Sequence, residues 1–296
     1  MALVVMFLSF TLIRLTPGDA ASARLGPEAD AAAIAALKKT LKLDVNPIQQ
    51  FISYMIDLFH GNLGVSLQTG RPVISIIAST LPVTLTLIIF STLAAIIISV
   101  PIGTMIGWSG KSSLVYSFRG VTAIILATPN FFIAMVGILF FSVKVNWAPV
   151  FGYTPGFPGN LRYLWLPIVV NTLIMSSVIS RVLFSSVSET KNEEFVETGI
   201  IRGVSRRRFF AYYILKPSLA PTVVLLSYMM GTMLGATVIL ETIFTLPGIG
   251  REMIGAVLTS DYPVVQGTLL FFGVITVFLS FVGDLSAYFL DRRVKI

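Results

Sequence analysis

Long apolar stretches separated by short polar intervals dominate this sequence. Five of them reach the roughly 20 mainly apolar residues that an α-helix needs to cross a bilayer, and they lie at about 82–108, 121–143, 163–184, 217–240 and 267–290. Residues 1–14 are apolar but shorter, and since no basic region precedes them we expect a truncated first membrane helix rather than a cleaved signal peptide. The pattern predicts an all-α membrane protein with six transmembrane helices in a single domain over residues 1–296.

The interval between the first two predicted spans, residues 15–80, is long enough to fold by itself. Residues 29–43 are rich in Ala, Leu and Lys and predict a helix that ends near Asn46-Pro47, because the residue before a proline disfavours helical backbone. Residues 49–59 predict a second helix, and residues 60–64 predict a turn after it. We therefore expect a partly helical external loop, followed by a five-helix core over 82–290.

Composition supports the membrane assignment. The 296 residues are 55% hydrophobic and 12% charged, about half of the roughly 25% charge of a soluble domain, and the mean hydropathy is +0.87. The net charge of +7 favours the positive-inside rule over nucleic-acid binding, because the basic residues lie between hydrophobic spans. The chain has no cysteine, which excludes disulfides and thiolate chemistry, and its one histidine, His60, is expected to be a solvated loop residue.

The distribution of basic residues predicts both termini in the cytoplasm. With this orientation the cytoplasmic segments hold Lys111, Arg119, Arg181, Lys191, Arg202, Arg206, Arg207, Arg208, Lys216, Arg292, Arg293 and Lys295. The two short external loops hold only Lys144, Arg162 and Arg251. The excess of Lys and Arg on one side is the usual mark of the cytoplasmic side.

Two local patterns raise the question of chemistry at or within the spans. Ser109-Gly110-Lys111-Ser112 resembles the end of a phosphate-binding P-loop, but Met105 replaces the required glycine, so we expect an interfacial turn. Asp284 is the one acidic residue well inside a predicted span, and it favours either a structural pairing with Arg292 and Arg293 or a proton or substrate site. An ion-driven transporter usually has several such groups near the midplane, and the sequence offers no such set.

The longest polar interval in the C-terminal two thirds is 193–217, inside a predicted cytoplasmic loop over 188–216. Thr190 and Glu193 have the spacing of a capping box at a helix start, and the acidic residues after them suit the positive end of the helix dipole. The helix that follows is expected to have one apolar face, formed by Phe195, Val196, Gly199 and Ile200.

Gly203 has the position of a left-handed residue that ends this helix. Ser205 can cap a second short helix over 206–215, with Pro217 or Pro221 opening the next span. Two short helices joined at a glycine favour a docking surface for a partner, and the alternative is a solvated basic loop that only sets topology.

Several motifs resemble those of bacterial ABC importer permeases. Glu197-Thr198-Gly199-x-x-x-Gly203 resembles the EAA loop of that family, with Thr198 and Gly199 where alanines are usual. Residues 235–267 contain E-T-x-F-x-x-P-G-x-G and D-Y-P-V-V-Q-G, which are similar to the dipeptide/oligopeptide/nickel importer permeases. The N-terminal half adds Arg14-Leu15-Thr16-Pro17-Gly18-Asp19, Leu43-Asp44, Gly61-Asn62-Leu63-Gly64-x-Ser66 and Leu81-Pro82-x-Thr84-Leu85. The resemblance covers nearly the whole chain and points to the first of that family's two paired permeases.

The resemblance implies a type I ABC importer permease fold and the translocation-pathway subunit of an ATP-driven, binding-protein-dependent importer. It implies as partners a second related permease, two cytoplasmic ATPase subunits, an external solute-binding protein and the lipid of a bacterial or archaeal cytoplasmic membrane. This chain would then be no enzyme and bind no cofactor, since ATP and Mg belong to the ATPase subunits. The residues it implies in ATPase coupling are Glu194, Glu197, Thr198, Gly199, Arg202, Gly203, Val204 and Ser205.

The substrate and the role of the external residues stay open at this point. Di- or oligopeptides are the expected substrate class, nickel or a metal chelate is the alternative, and an ion-driven secondary transporter or a membrane enzyme is a more distant one. Four residues expected on or near the external face are candidates for an outer gate or a binding-protein contact: Glu241, Arg251, Glu252 and Asp261. Asp261-Tyr262-Pro263 fits equally a turn that returns the chain to the membrane.

Overall fold

The computed structural model describes residues 46–290 together with Phe7, Thr11, Asp30 and Ala32. This part is almost entirely helical: α1 is Pro47–Phe59, α2 Val73–Ser109, α3 Ser112–Ala127, α4 Asn130–Lys144, α5 Leu161–Thr190, α6 Glu194–Ile201, α7 Arg206–Ile243, α8 Ile249–Leu258 and α9 Tyr262–Leu290. Phe7 and Thr11 are helical positions, but the first predicted span as a whole and the predicted helix over 29–43 lie outside the described residues.

Among the described residues, four helices are long and apolar enough to cross a membrane alone. They are α2, α5, α7 and residues Tyr262–Ser286 of α9, and the pair α3 and α4 passes the same test only when its two helices are taken together. These elements coincide with the five apolar segments that the sequence predicts within residues 82–290, although α2 begins earlier and α7 begins much earlier than expected.

The segment predicted as one span over 121–143 is two helices that meet at an angle of 92°. The break is at Thr128-Pro129: Thr128 has extended backbone (φ −88°, ψ 124°), and Asn130 starts the next helix. A proline disfavours helical backbone in the residue before it and has no N–H to give to the helix. The predicted segment over 121–143 is therefore a helix pair broken at Pro129 rather than one continuous helix.

The predicted boundary at Pro217 is a change of helix type and not a break, because α7 runs continuously from Arg206 to Ile243. Its residues Phe210–Leu215 are π-helical, directly before Lys216-Pro217. A proline in a helix removes one backbone hydrogen bond, and a local widening of the helix is one way to accommodate it. The second short helix that the sequence predicts is thus the first part of a membrane-length helix.

The connection between α2 and α3 is the turn that the sequence predicts. Gly110 has φ +61°, in the left-handed region that glycine adopts without strain, and it separates the end of α2 from the start of α3. The Lys191 ammonium donates to the carbonyl of Gly107 at 3.4 Å, so it satisfies a backbone acceptor in the last turn of α2.

Contacts divide the chain into two compact units. The first unit comprises Met1–Thr84 and Pro247–Val277, and the second comprises Leu85–Leu246 and Phe278–Ile296. In the second unit α5 is central, since α3, α4 and α7 each pack against it. Gly103 of α2 also fits closely there, because a Cβ at this position would lie 2.9 Å from the Ser180 carbonyl oxygen.

In the first unit, α1 confirms the second helix predicted for the external loop. The Asn46 side chain caps it by accepting a hydrogen bond from the Ile48 N–H at 2.9 Å. The ring of Phe51 meets that of Phe7 edge-on, with centroids 5.9 Å apart. Gly64, at φ +85°, lies in the turn that follows, as the sequence predicts.

Candidate functional site

The helix α6 in the predicted cytoplasmic loop begins at Glu194, and the predicted capping box before it is wrong. Thr190 is instead the last residue of α5; its side chain is buried, and its hydroxyl accepts a hydrogen bond from Ser218 Oγ at 3.1 Å. Glu193 takes the N-cap position and makes no side-chain capping bond. Glu194 and Glu197 do lie in the first turn, where the helix dipole favours their charge.

One face of α6 is anchored in the protein core. Val196 is 3% exposed and forms a buried cluster with Leu183 and Val187 of α5 and Ile214 of α7. Full burial of a side chain of this size contributes about 1.5–3 kcal/mol. Because the cluster includes residues of three helices, α6 packs directly against the membrane-length helices α5 and α7.

The close approach of α6 to α7 depends on Gly199. A Cβ at this position would lie 2.9 Å from the Tyr213 ring and 3.2 Å from the Phe209 ring. These two rings stack on each other at a centroid distance of 5.6 Å and an angle of 16°, so neither can easily move aside. The predicted apolar face is otherwise only partly buried, since Ile200 is 63% exposed.

Gly203 ends α6 in the way that the sequence predicts. Its φ is +64°, its N–H donates to the Ile200 carbonyl at 3.0 Å, and the Val204 N–H donates to the Gly199 carbonyl at 3.4 Å. This pair of bonds is the Schellman motif, which needs a left-handed residue after the C-cap. A Cβ at Gly203 would meet nothing within 4 Å, so backbone conformation alone requires glycine here.

The remaining predicted coupling residues form the outer side of α6 and its C-terminal turn. The exposed members are Glu194, Glu197, Thr198, Arg202, Gly203 and Ser205, and Val204 is half-buried. Ile201 beside them is 78% exposed. A short helix with one face fixed in the core and the other face charged, partly apolar and exposed has the form of a docking surface for another protein.

A second arrangement, here called the Asp261 clip, joins residues 66–68 to Asp261 in the first unit. The Asp261 carboxylate is 3% exposed and accepts hydrogen bonds from Ser66 Oγ at 2.5 Å, from the Leu67 N–H at 2.9 Å and from the Gln68 N–H at 3.3 Å. The Gln68 side-chain amide also donates to the Thr259 carbonyl at 2.9 Å. The carboxylate therefore holds a loop far away in sequence, and its burial leaves no exposed surface for a partner.

Some of the motifs that carry the family resemblance also make contacts in this first unit. The Thr84 hydroxyl, which is fully buried, accepts a hydrogen bond from the Ile249 N–H at 3.0 Å. Gly267 lies so close to α2 that a Cβ there would come within 2.6 Å of Val73 Cγ1. The Ser66 and Thr84 contacts have no local signal in the sequence, because each partner is more than 160 residues away.

The other predicted site residues do not form one cluster in the described part of the chain. Glu241 is fully buried, whereas Arg251 and Glu252 on α8 are exposed. Asp284 on α9 is exposed in this chain, and its proposed partners Arg292 and Arg293 lie outside the described residues. In the described part of the chain, no three His, Cys, Asp or Glu side chains gather as a metal site would require.

Two family models match the chain. Residues 99–296 match the binding-protein-dependent transport system inner membrane component, and residues 1–88 match the N-terminal part of the membrane component of such systems. The first match alone covers more than half of the chain.

Curated relatives match over nearly their whole length. A Brucella suis biovar 1 protein named as a peptide permease is 33% identical over 304 residues, covering 100% of this chain and 95% of the relative. A Brucella abortus protein named as a peptide transport system permease is 31% identical, and the match covers 99% of this chain and 94% of the relative. The dipeptide transport system permease protein DppB of Alkalihalophilus pseudofirmus is 30% identical, and the match covers 97% of this chain and 93% of the relative.

Proposed function

This chain belongs to the family of binding-protein-dependent transport system inner membrane components, the permease subunits of ABC importers, and from that premise we propose that it forms half of the translocation pathway of a peptide importer. It is a multi-pass membrane protein, and ATPase and binding-protein partners are general to its family. The proposed complex contains this chain, a second related permease, two ATPase subunits that bind ATP and Mg, and an external solute-binding protein.

The observation that carries the proposal is the anchored and exposed geometry of α6. Val196 fixes the helix to α5 and α7, while its acidic and apolar outer side is open to a partner. A flexible topology-setting loop would need neither a buried anchor nor a glycine packed against stacked rings. The proposed partner of this surface is one ATPase subunit.

The proposed mechanism is a rigid-body movement driven from this helix. ATP binding brings the two ATPase subunits together, and the groove that holds α6 displaces it. Because α6 shares a buried cluster with α5 and α7, these helices move with it and open the pathway alternately to the two sides. Helices suit such movement, since their backbone hydrogen bonds are satisfied internally in every state.

The proposed location is the cytoplasmic membrane of a bacterium or archaeon, with both termini in the cytoplasm. The orientation is supported by the excess of Lys and Arg in the segments that would be cytoplasmic. It places α6 on the ATPase side of the membrane and α8 on the side of the solute-binding protein.

Di- or oligopeptides are the proposed substrate, because the relatives that cover nearly the whole chain carry peptide and dipeptide in their names. Nickel or a metal chelate is the alternative class. ATP-dependent uptake of labelled di- and tripeptides into proteoliposomes holding the complete complex tests the choice. Uptake of a nickel chelate without peptide uptake would overturn the peptide assignment and leave the importer assignment intact.

Gly203→Val is expected to reduce peptide uptake about fivefold or more. Valine in left-handed backbone costs at least roughly 1–2 kcal/mol, and relief of that strain shifts the end of α6 against its partner. Gly203→Asn should retain most of the uptake, because asparagine tolerates this backbone better than other residues with a side chain. Gly61→Val imposes a similar penalty at φ +76° in open space, outside the proposed docking surface, and serves as the control. Uptake by Gly203→Val equal to wild type would contradict the coupling role.

Arg251→Glu is expected to weaken binding of the solute-binding protein about three- to tenfold, because a reversed charge at the rim of an interface opposes association. Affinity is measured by titrating the binding protein onto the complex in nanodiscs. Arg162→Glu reverses a second exposed arginine on the same predicted side and controls for net charge. An unchanged affinity in Arg251→Glu would remove this residue from the proposed docking surface.

A further inference from the structure

A cavity lies between the end of α2, the helix α6 and the start of α7. Its volume is about 540 Å³, and the described residues that line it are Trp108, Ile200, Val204, Arg206, Phe209 and Phe210. The Trp108 ring meets those of Phe209 and Phe210 edge-on, at centroid distances of 6.5 and 6.2 Å. Three aromatic rings therefore form one wall of a preformed apolar space.

The chemistry of this space is that of a site for an anionic amphiphile. Ligand cavities commonly enclose about 300–1,000 Å³ and combine apolar walls with a few well-placed polar groups. Of the described lining residues, five are apolar and Arg206 alone carries a charge. An arginine is the preferred side chain for a phosphate group, because its planar donors fit the phosphate oxygens.

The position of the cavity selects one occupant among the anionic amphiphiles. Trp108 is 46% exposed at the last turn of the membrane-length helix α2, and Tyr212 on α7 is 64% exposed. Exposed Trp and Tyr at the ends of membrane helices mark the level of the lipid headgroups. Arg206 is followed by Arg207 and Arg208, which strengthen the attraction of anionic lipid at this level.

We propose that this cavity binds an anionic phospholipid of the inner leaflet, with the phosphate on Arg206 and an acyl chain along Trp108, Phe209 and Phe210. The proposal rests on the function proposed above, which puts this end of α2 on the cytoplasmic side. Since Ile200 and Val204 belong to α6 and its terminal turn, a bound lipid joins the ATPase-docking helix to the membrane-length helices. The lipid then makes transport sensitive to the anionic fraction of the membrane.

The test compares two lipids on the assembled transporter. Native mass spectrometry of the complex of both permeases and both ATPase subunits, titrated with palmitoyl-oleoyl phosphatidylglycerol or the matching phosphatidylcholine, gives the affinity for each. Phosphatidylglycerol should bind the wild type at least about tenfold more tightly than phosphatidylcholine. Arg206→Gln should weaken the binding of phosphatidylglycerol about tenfold, as expected for the loss of a charge-assisted hydrogen bond.

Arg207→Gln is the matched control, because Arg207 carries the same charge one residue away and does not line the cavity. Its affinity for phosphatidylglycerol should stay within about twofold of wild type, and Arg206→Lys should keep part of the preference. Equal losses in the Arg206→Gln and Arg207→Gln variants would show a diffuse charge effect and overturn the site. Competition by inorganic phosphate or deacylated headgroup would assign a free-anion site instead.

Three further outcomes separate a failure of this proposal from a failure of the importer function. If the permease pair binds phosphatidylglycerol but loses it when the ATPase subunits assemble, the cavity belongs to the ATPase interface and the lipid proposal fails. If peptide uptake in proteoliposomes rises with the phosphatidylglycerol fraction for wild type and Arg207→Gln but not for Arg206→Gln, the lipid role is supported. Absence of ATP-driven uptake at every lipid composition would instead contradict the proposed function.

Discussion

Gly199→Leu should reduce ATP-driven peptide uptake by at least about tenfold, the largest effect that we expect from one residue of the proposed coupling surface. A Cβ at this position would lie 2.9 Å from the Tyr213 ring, and leucine adds three more carbon atoms in the same direction. Tyr213 stacks on Phe209 on one side and lies 6.4 Å from the Phe195 ring on the other, so the ring has little freedom to yield. The helix α6 must therefore move outward, and overpacking of this kind costs about 1–3 kcal/mol.

The measurement separates uncoupling from loss of the complex. Assembly with the ATPase subunits and basal ATP hydrolysis are measured beside uptake, and the expected result is retained hydrolysis with uptake at a tenth of wild type or less. Gly120→Leu on α3 is the matched control, because a Cβ there meets nothing within 4 Å. A Gly199→Leu transporter with wild-type uptake would mean that the position of α6 does not control the pathway.

The features that could be predicted from the sequence have local causes. The five apolar segments of 82–290 correspond to helices because about 20 apolar residues in a row have few alternatives. Gly203 could be placed as the end of α6, since glycine after an amphipathic turn is the usual left-handed residue of a helix end. The helix α1 and the turn at Gly110 were predictable in the same way, from proline and glycine positions.

The features that could not be predicted depend on contacts between distant residues. Thr190 has the spacing of a capping residue. In the structure, however, α5 continues to Thr190, and the Thr190 hydroxyl accepts a hydrogen bond from the Ser218 hydroxyl on α7. In the sequence Gly199 is only one member of an apolar helix face. The structure shows that the Tyr213 and Phe209 rings lie so close that no side chain fits there. Local propensity is a weak guide wherever tertiary packing offers a better partner.

The contacts of Asp261 are a second example that could not be predicted from the sequence. The sequence allowed a turn, a gate or a docking contact, and nothing near Asp261 pointed to Ser66, 195 residues earlier. The structure adds that Ser260 before it has φ +56° and that the Asp261 N–H donates to the Ala256 carbonyl at 2.8 Å. The backbone thus turns at the end of α8 and directs the carboxylate toward residues 66–68, which favours a positioning role for Asp261.

Asp261→Ala should detach residues 66–68 and speed amide hydrogen exchange at Leu67 and Gln68. The substitution leaves three donors without an acceptor, namely the Ser66 hydroxyl and the N–H groups of Leu67 and Gln68. Ser66 and Leu67 are buried, and each unsatisfied buried donor costs about 1–3 kcal/mol, so residues 66–68 are no longer stable in this position. We expect amide hydrogen exchange at Leu67 and Gln68, measured by mass spectrometry on the complex in nanodiscs, to become at least about tenfold faster.

Glu252→Ala is the control for this prediction, because it removes an exposed carboxylate from the neighbouring α8 without touching the Asp261 clip. Its exchange rates at Leu67 and Gln68 should match wild type, since exposed charges contribute little to stability. Asp261→Asn should fall between the two variants, because one amide oxygen can still accept from Leu67 while the amide N–H groups face other donors. Equal exchange protection of Leu67 and Gln68 in Asp261→Ala and wild type would mean that residues 66–68 are held by their own turn, and the clip would lose its structural role.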